Sequence, residues 1–350
     1  MRRYIALDLF AGAGGLTQGL KQAGFRVLGA VEIEPLAVET YRVNHPEVKV
    51  WQTDILRLSV PSIKRTLKLQ KGDLDLLAGC PPCQGFSSMR TKNGGQEIRD
   101  IRNDLVFEFL RFVEELEPKA IMMENVPGLA TDERMRVFER RLRKMGYNFE
   151  TRVLNAADYG VPQRRRRMIL LASRVSYIKL ASLALTRPTV YSAIHGLPPA
   201  GHSGDPLHDL PEQRSQAVID RIRAIPLDGG SRTALGEDNQ LPCHNRLKAR
   251  NLNGFKDVYG RMGWNDISPT ITTGCFNPSK GRFLHPEEHR AITMREAALL
   301  QSFPQNYYFS IRRGKTNVAI LIGNALPPQF IQRHASKIRQ SFRTARRLNR

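Results

Sequence analysis

Long apolar runs are missing from this 350-residue chain. No uninterrupted stretch approaches the roughly 20 residues needed to cross a bilayer, which excludes a membrane-spanning reading. Acidic residues are scarce: 33 Asp and Glu stand against 54 Lys and Arg, for a formal charge of +21 and a pI near 10.3. Cysteine is sparse too. Cys80, Cys83, Cys243 and Cys275 are too few and too unevenly spaced for a disulfide framework, so a reducing, cytoplasmic setting is expected. The basic start Arg2-Arg3 meets Asp8 too soon to carry the apolar core of a signal peptide. Internal repeats, low-complexity tracts and a Walker-type Gly-x-x-x-x-Gly-Lys-Ser/Thr phosphate loop are also absent.

With 41% hydrophobic residues, the chain is long enough for one large domain and a smaller one. Its positive charge favours a polyanionic partner through phosphate contacts and counterion release. Nucleic acid leads among such partners, and a merely soluble basic protein is the alternative that charge alone leaves open.

Near-continuous apolar runs recur at residues 4–10, 26–32, 74–79, 119–124 and 167–172, as in buried parallel strands. Helical patterns alternate with them. In the clearest, Leu105, Phe109, Phe112, Val113 and Leu116 repeat at helical spacing behind Asp104 as N-cap. This rhythm predicts an α/β fold with a doubly wound parallel sheet. After Ser173, prolines and glycines break up the chain, which predicts a smaller, loop-rich domain. Helical periodicity returns at Met294–Gln301 and after Pro328. The expected division is 1–190 plus 319–350 against 191–318. The basic residues of the last stretch read as a solvated helix face.

The first strand runs into Asp8-Leu9-Phe10-Ala11-Gly12-Ala13-Gly14-Gly15-Leu16, whose glycines allow a tight turn and close approach to a ligand. Thr17 stands where a dinucleotide fingerprint needs its third glycine, which weakens an NAD reading. Glu32, at the end of the next strand, is placed to accept from ribose hydroxyls. Asp54 sits where a third strand would end and is a candidate acceptor for an adenine amino group. Together they point to an adenosine site.

The run ending Gly79-Cys80-Pro81-Pro82-Cys83-Gln84-Gly85-Phe86-Ser87 puts a thiol at the carboxyl end of a strand, where open α/β sheets carry their sites. A redox pair, half a zinc site and a lone nucleophile with Cys80 as packing compete here. Cys243 and Cys275 form no second close pair, which disfavours zinc, and Pro82 with the turn after it disfavours thioredoxin-type chemistry. No metal site is expected.

At this point the residues resemble DNA cytosine-5 methyltransferases. The resemblance rests on ordered blocks: Phe10–Gly15, Pro81-Pro82-Cys83-Gln84, Glu124-Asn125-Val126, Gln163–Arg167, Arg295–Pro304 and Gly323–Pro328. It covers most of the chain, and residues 195–262 lack such a block, where this family carries its variable target-recognition segment. It implies a Rossmann-like class I methyltransferase domain with a small target-recognition domain. It also implies S-adenosylmethionine as cofactor, held by Phe10, Gly12, Gly14, Gly15, Leu16, Glu32, Ile33, Asp54, Ile55, Pro82 and Asn324. The implied substrate is cytosine in a specific double-stranded DNA sequence, in a bacterial monomer with a restriction endonuclease as separate companion.

Carbon 5 of cytosine is a poor nucleophile, so a nucleophile must first add at carbon 6. Cys83 is assigned that addition. Charge then builds toward N3, where a strand-end acid, Glu124, can supply a proton if burial raises its pKa. In an extended Gln163–Arg167, Arg165 and Arg167 face one side. The resemblance gives Arg165 the role of bracing Glu124 and leaves Arg167 as a structural or phosphate partner. Arg164 and Arg166 read as solvated. Residues 87–103 suggest a lid, with Gln84, Ser87, Met89 and Arg90 on DNA around a flipped base. Base contacts are expected among Arg232, His244, Asn245, Arg246, Arg250, Arg261 and Thr272. An RNA cytosine-5 methyltransferase and an inactive DNA-binding relative remain the rivals.

Overall fold

The computed structural model describes residues 3–82, 104–236 and 257–348. These divide into two compact units. The first comprises 1–159, 165–185 and 325–350; the second comprises 160–164 and 186–324.

The first unit is built on a seven-stranded sheet of order β3-β2-β1-β4-β5-β7-β6. Its strands are β1 (Ile5–Leu9), β2 (Arg26–Glu32), β3 (Lys49–Gln52), β4 (Leu76–Gly79), β5 (Ala120–Asn125), β6 (Asn148–Asn155) and β7 (Arg166–Ser173). The first five pair in parallel. Residues of β4 and β5 are buried throughout, as expected where helices cover both faces. The core joins Leu7, Leu9, Leu77, Ile121, Met123 and Leu170 to Phe109, Phe112 and Val113 of the helix Leu105–Leu116 and to Phe138 of the helix Glu133–Lys144.

Two strand expectations change. The run at 167–172 forms a strand, but β7 lies antiparallel between β5 and β6. β6 is an edge strand whose residues are all partly or fully exposed, and its polar sequence Asn-Phe-Glu-Thr-Arg-Val-Leu-Asn hides it from a search for apolar runs. Asp104 occupies the predicted N-cap position without capping. Its carboxylate instead accepts from Arg134 Nε at 2.9 Å.

The sheet reverses strand order between β1 and β4, and this switch point is where open sheets form a crevice. The strands are close there. A Cβ on Gly79 would lie 2.6 Å from the Leu9 carbonyl oxygen and 2.9 Å from the Phe109 ring. The final helix, Pro328–Leu348, returns to this unit and packs on the helix Gly15–Gln22. Gly19 lets the two backbones approach, since a Cβ there would meet the Pro328 carbonyl oxygen at 2.5 Å. Arg339 Nη1 donates to the Ala23 carbonyl at 2.7 Å, satisfying an orphan acceptor at the helix end.

The second unit has short helices, among them Val190–Ile194, Gln216–Ala224, Met294–Leu300 and Gly314–Asn324, joined by long loops. Thr293 and Glu296 form a capping box that starts Met294–Leu300. Arg261 is fully buried and has no carboxylate partner among its hydrogen bonds. It donates to the carbonyls of Ile222, Ile225, Pro226, His285 and Glu288, tying three loop segments together. No helix among the described residues is long and apolar enough to cross a membrane.

Gly79→Ala should destabilise the protein by about 1–3 kcal/mol, because backbone on one side and a packed ring on the other cannot yield cheaply. Thermal unfolding measures it. Gly196→Ala, where among the described residues nothing lies within 4 Å of the added Cβ, should cost only what its φ of 82° imposes, about 1 kcal/mol.

Candidate active site

The carboxyl ends of β4 and β5 are adjacent in register, with Gly79 opposite Met123. The next residues along, Cys80 and Glu124, therefore meet. The Cys80 thiol donates to Glu124 Oε2 at 2.8 Å, and Asn125 Nδ2 donates to the Pro81 carbonyl at 2.8 Å. Two hydrogen bonds thus stitch the Cys-Pro pair to the Glu-Asn pair at the crevice.

Glu124 is 1% exposed. Such burial disfavours the charged carboxylate and raises its pKa; Arg167, Cys80 and Arg165 act in the opposite direction. The direct cation is Arg167, whose Nε lies 3.0 Å from Glu124 Oε1. Arg165 is buried beside this pair. Desolvation first, and Arg167 second, pull Arg165 down to about 9, so it keeps its charge at neutral pH. The strand pattern explains the pairing. Glu124 is opposite Ile169, and Arg167 and Arg165 occupy the same face two and four positions back. Arg164 and Arg166 alternate to the exposed side. Among the described residues Arg167 makes an ion pair to Glu124, and Arg165, to which the resemblance gives the bracing role, is buried beside it and acts on the same carboxyl group.

Cys80 is partly buried, and its thiol is raised well above the ordinary range by desolvation and by Glu124. A raised thiol stays protonated and is a poor nucleophile. Cys83 itself lies outside the described residues, as do Gln84, Ser87, Met89 and Arg90.

On the other side of the switch point, Phe10 follows β1 with φ of 59°, a conformation costly for a residue with a Cβ. Gly12 (φ 54°) and Gly14 (φ 90°) complete the turn into the helix Gly15–Gln22. Glu32 holds this loop: its Oε2 accepts from Gly12 N at 2.7 Å, and its Oε1 from Ile33 N and Glu34 N at 2.9 and 2.8 Å. Ile33 is 60% exposed beside it. Asp54 Oδ1 accepts from Leu56 N at 3.0 Å, capping the turn Ile55–Arg57. Leu16 and Ile55 are core side chains. Pro82 is partly buried after Pro81, and Asn324 ends the helix Gly314–Asn324 in the second unit.

Beneath the loop lies a polar cluster that the motifs did not flag. Asp8 is fully buried; its Oδ2 accepts from Thr17 Oγ1 at 2.7 Å, and Thr17 Oγ1 lies 2.6 Å from Tyr41 Oη. Burial pushes Asp8 up to about 7, against the Thr17 hydrogen bond and with some help from Glu32. His45 Nε2 sits 3.3 Å from the Gly14 carbonyl, and burial, reinforced by Lys21, lowers this imidazole to about 4. A buried acid inside a strand that otherwise reads as apolar was the available signal.

Among the expected base contacts, burial removes Arg261, whose guanidinium is used up on carbonyls. Thr272 is exposed and Arg232 partly so, while His244, Asn245, Arg246 and Arg250 lie outside the described residues.

With this geometry in place, the relatives become informative. The sequence profile of the C-5 cytosine-specific DNA methylases matches residues 4–340. Type II methylase M.HgiDII of Herpetosiphon aurantiacus is 35% identical, over 92% of this chain and 91% of its own. Type II methyltransferase M1.HphI of Haemophilus parahaemolyticus is 33% identical, over 95% and 86%. A solved structure described as a DNA modification methyltransferase encoded within an E. coli prophage aligns with TM-score 0.70 at 26% identity, covering 97% of this chain and 99% of that one. A DNMT2 mutant of Spodoptera frugiperda shares the fold, with TM-score 0.61 at 17% identity over 96% and 99%. The chain therefore belongs to the C-5 cytosine-specific DNA methylases, enzymes that methylate cytosine in DNA.

Asp8 binds its proton more tightly in the folded chain than its ordinary 3.8, so it favours folding at low pH, and that contribution is lost as pH rises through about 7. Asp8→Asn keeps an acceptor for Thr17 and removes the titration. Urea midpoints should show the variant gaining on the wild type by about 1 kcal/mol or more between roughly pH 5 and pH 8. A gap independent of pH would remove Asp8 as the titrating group.

Proposed function

We propose that the chain transfers a methyl group from S-adenosylmethionine to carbon 5 of a flipped-out cytosine in a specific double-stranded DNA sequence, through a covalent adduct between Cys83 and carbon 6. The observation that carries this reading is the buried Glu124 carboxyl, held by Arg167 and Cys80 at the end of β5, with only β4 between it and β1, which leads into the glycine loop.

The residues present fit the cofactor. Among the described residues nothing lies within 4 Å of a Cβ built on Gly12, which leaves room for a ligand against the loop backbone. The Glu32 carboxylate accepts three backbone N–H groups, and its two oxygens offer about four acceptor positions, so a ribose hydroxyl can still be taken up. Exposed Ile33 supplies an apolar surface for an adenine face, with Phe10, Gly14, Gly15, Leu16, Asp54, Ile55 and Pro82 as the further contacts. When bound, S-adenosylmethionine supplies the electrophilic methyl group.

The protein's own groups do the rest. The Cys83 thiolate adds to carbon 6, and the electron pair displaced from the C5–C6 bond is drawn toward N3. Glu124 gives N3 its proton and becomes a carboxylate, which Arg167 and the still-charged Arg165 stabilise. Carbon 5 is thereby made nucleophilic. After methylation the carbon 5 proton leaves to water, its electron pair expels the Cys83 thiolate, and N3 returns its proton to the Glu124 carboxylate. A stacked cytosine is beyond the reach of such attack, so the base is extruded first. Gln84, Ser87, Met89 and Arg90 are assigned to the DNA, and Thr272 and Arg232 of the second unit are retained as candidates for target recognition. The remaining features of the reading are a monomer in a bacterial cytoplasm and a restriction endonuclease that acts separately on the same DNA sequence.

Cys83→Ser should bind cofactor and duplex DNA with near wild-type affinity while methyl transfer falls by at least about a thousandfold. Covalent capture on duplex DNA containing 5-fluorocytosine should disappear with it, and methylation retained by the serine variant would overturn the assignment. Activity confined to transfer RNA would overturn the choice of substrate. Glu32→Ala should raise the cofactor Kd about tenfold or more by isothermal titration.

A further inference from the structure

We propose that Cys80 is a positioning residue of the transfer step: through its S–H bond to Glu124 Oε2 it orients the carboxyl group and sets the pH at which Glu124 holds the proton destined for N3. The inference rests on the reading of Glu124 as proton donor.

The geometry is that of a clamp. Arg167 Nε approaches Oε1 at 3.0 Å from β7, and Cys80 Sγ approaches Oε2 at 2.8 Å from the end of β4, so the two oxygens are held from two different strands. Rotation of the carboxyl group would break both contacts. Cys80 is itself fixed: its backbone N–H donates to the Leu9 carbonyl at 3.3 Å, and the next carbonyl, that of Pro81, is tied to Asn125. Its thiol stays protonated because burial and the neighbouring acid both oppose ionisation, so it remains a donor. Packing alone would be served by any small apolar residue and would not aim a donor at the acid.

A donor on a carboxylate oxygen stabilises the charged form and lowers proton affinity. Among the described residues the charged and titratable groups acting on Glu124 are Cys80, Arg165 and Arg167. Only Cys80 can be exchanged without altering net charge. Removing its S–H should make Glu124 hold its proton to higher pH, and replacing it with a stronger O–H donor should do the reverse.

The test is the pH profile of single-turnover methyl transfer, read on the limb where activity falls as pH rises and Glu124 loses its proton. Cys80→Ala should move this limb up by about half a pH unit or more, and Cys80→Ser should move it down by a similar amount. Both variants should keep cofactor and DNA affinity. If the alanine variant fails to fold, the serine variant alone decides the direction. Loss of the limb in Glu124→Gln, with no movement in either Cys80 variant, would refute the role of Cys80. A limb that persists in Glu124→Gln would instead refute the reading of Glu124 beneath it.

Discussion

Burying Glu124 is the demand that organises this sheet. An isolated carboxylate at 1% exposure is expensive, and in practice such a group protonates unless cations and donors surround it. Here the surroundings come from the two neighbouring strands: Cys80 just past the end of β4, and Arg165 and Arg167 at the start of β7. The direction of β7 makes this possible. Because it runs antiparallel to β5, its first residues lie at the carboxyl end of the sheet beside Glu124. A parallel strand of the same eight residues would carry that end about 20 Å away. The balance of desolvation against three nearby groups leaves an acid whose proton affinity is raised above that of an ordinary carboxyl group.

The glycine loop is organised by a second acid with a different task. Glu32 spends its carboxylate on the amides of Gly12, Ile33 and Glu34, so the loop is held in shape before any ligand arrives. Preformed binding surface of this kind reduces the ordering cost of association. Below it, Asp8, Thr17, Tyr41 and His45 pack as a polar layer in which His45 meets the Gly14 carbonyl and Asp8 ties β1 to the helix that follows the loop. In the second unit a buried cation serves an analogous purpose. Arg261 donates to five carbonyls beside a small apolar cluster of Ile222, Ile225, Leu235, Tyr259 and Leu284, joining segments that are distant in sequence.

Much of the first unit was legible because buried parallel strands leave near-continuous apolar runs. β1, β2, β4 and β5 all fall where those runs lie, and the glycine loop and the Cys-Pro-Pro-Cys segment follow two of them. β6 was not legible, since an edge strand keeps polar residues on both faces and its alternation is masked by Glu150 and Arg152. The role of Arg261 was likewise hidden: an arginine in a variable, loop-rich stretch looks like a base contact until its burial is known.

What the linear chain determined by itself was the chemistry available: a thiol after a strand, an acid after another, a glycine turn with an acid beyond it, and the family that orders them. Tertiary structure decided which groups touch. Arg165 and Arg167 alternate identically in sequence; Arg167 makes an ion pair to Glu124, and Cys80, which reads as packing, donates to the same carboxyl. Spacing along a strand sets the face a side chain occupies, but contact depends on the direction and register of the neighbouring strand. That register is fixed by pairings between segments 43 to 53 residues apart, Met122 with Leu171 among them, which no local pattern encodes.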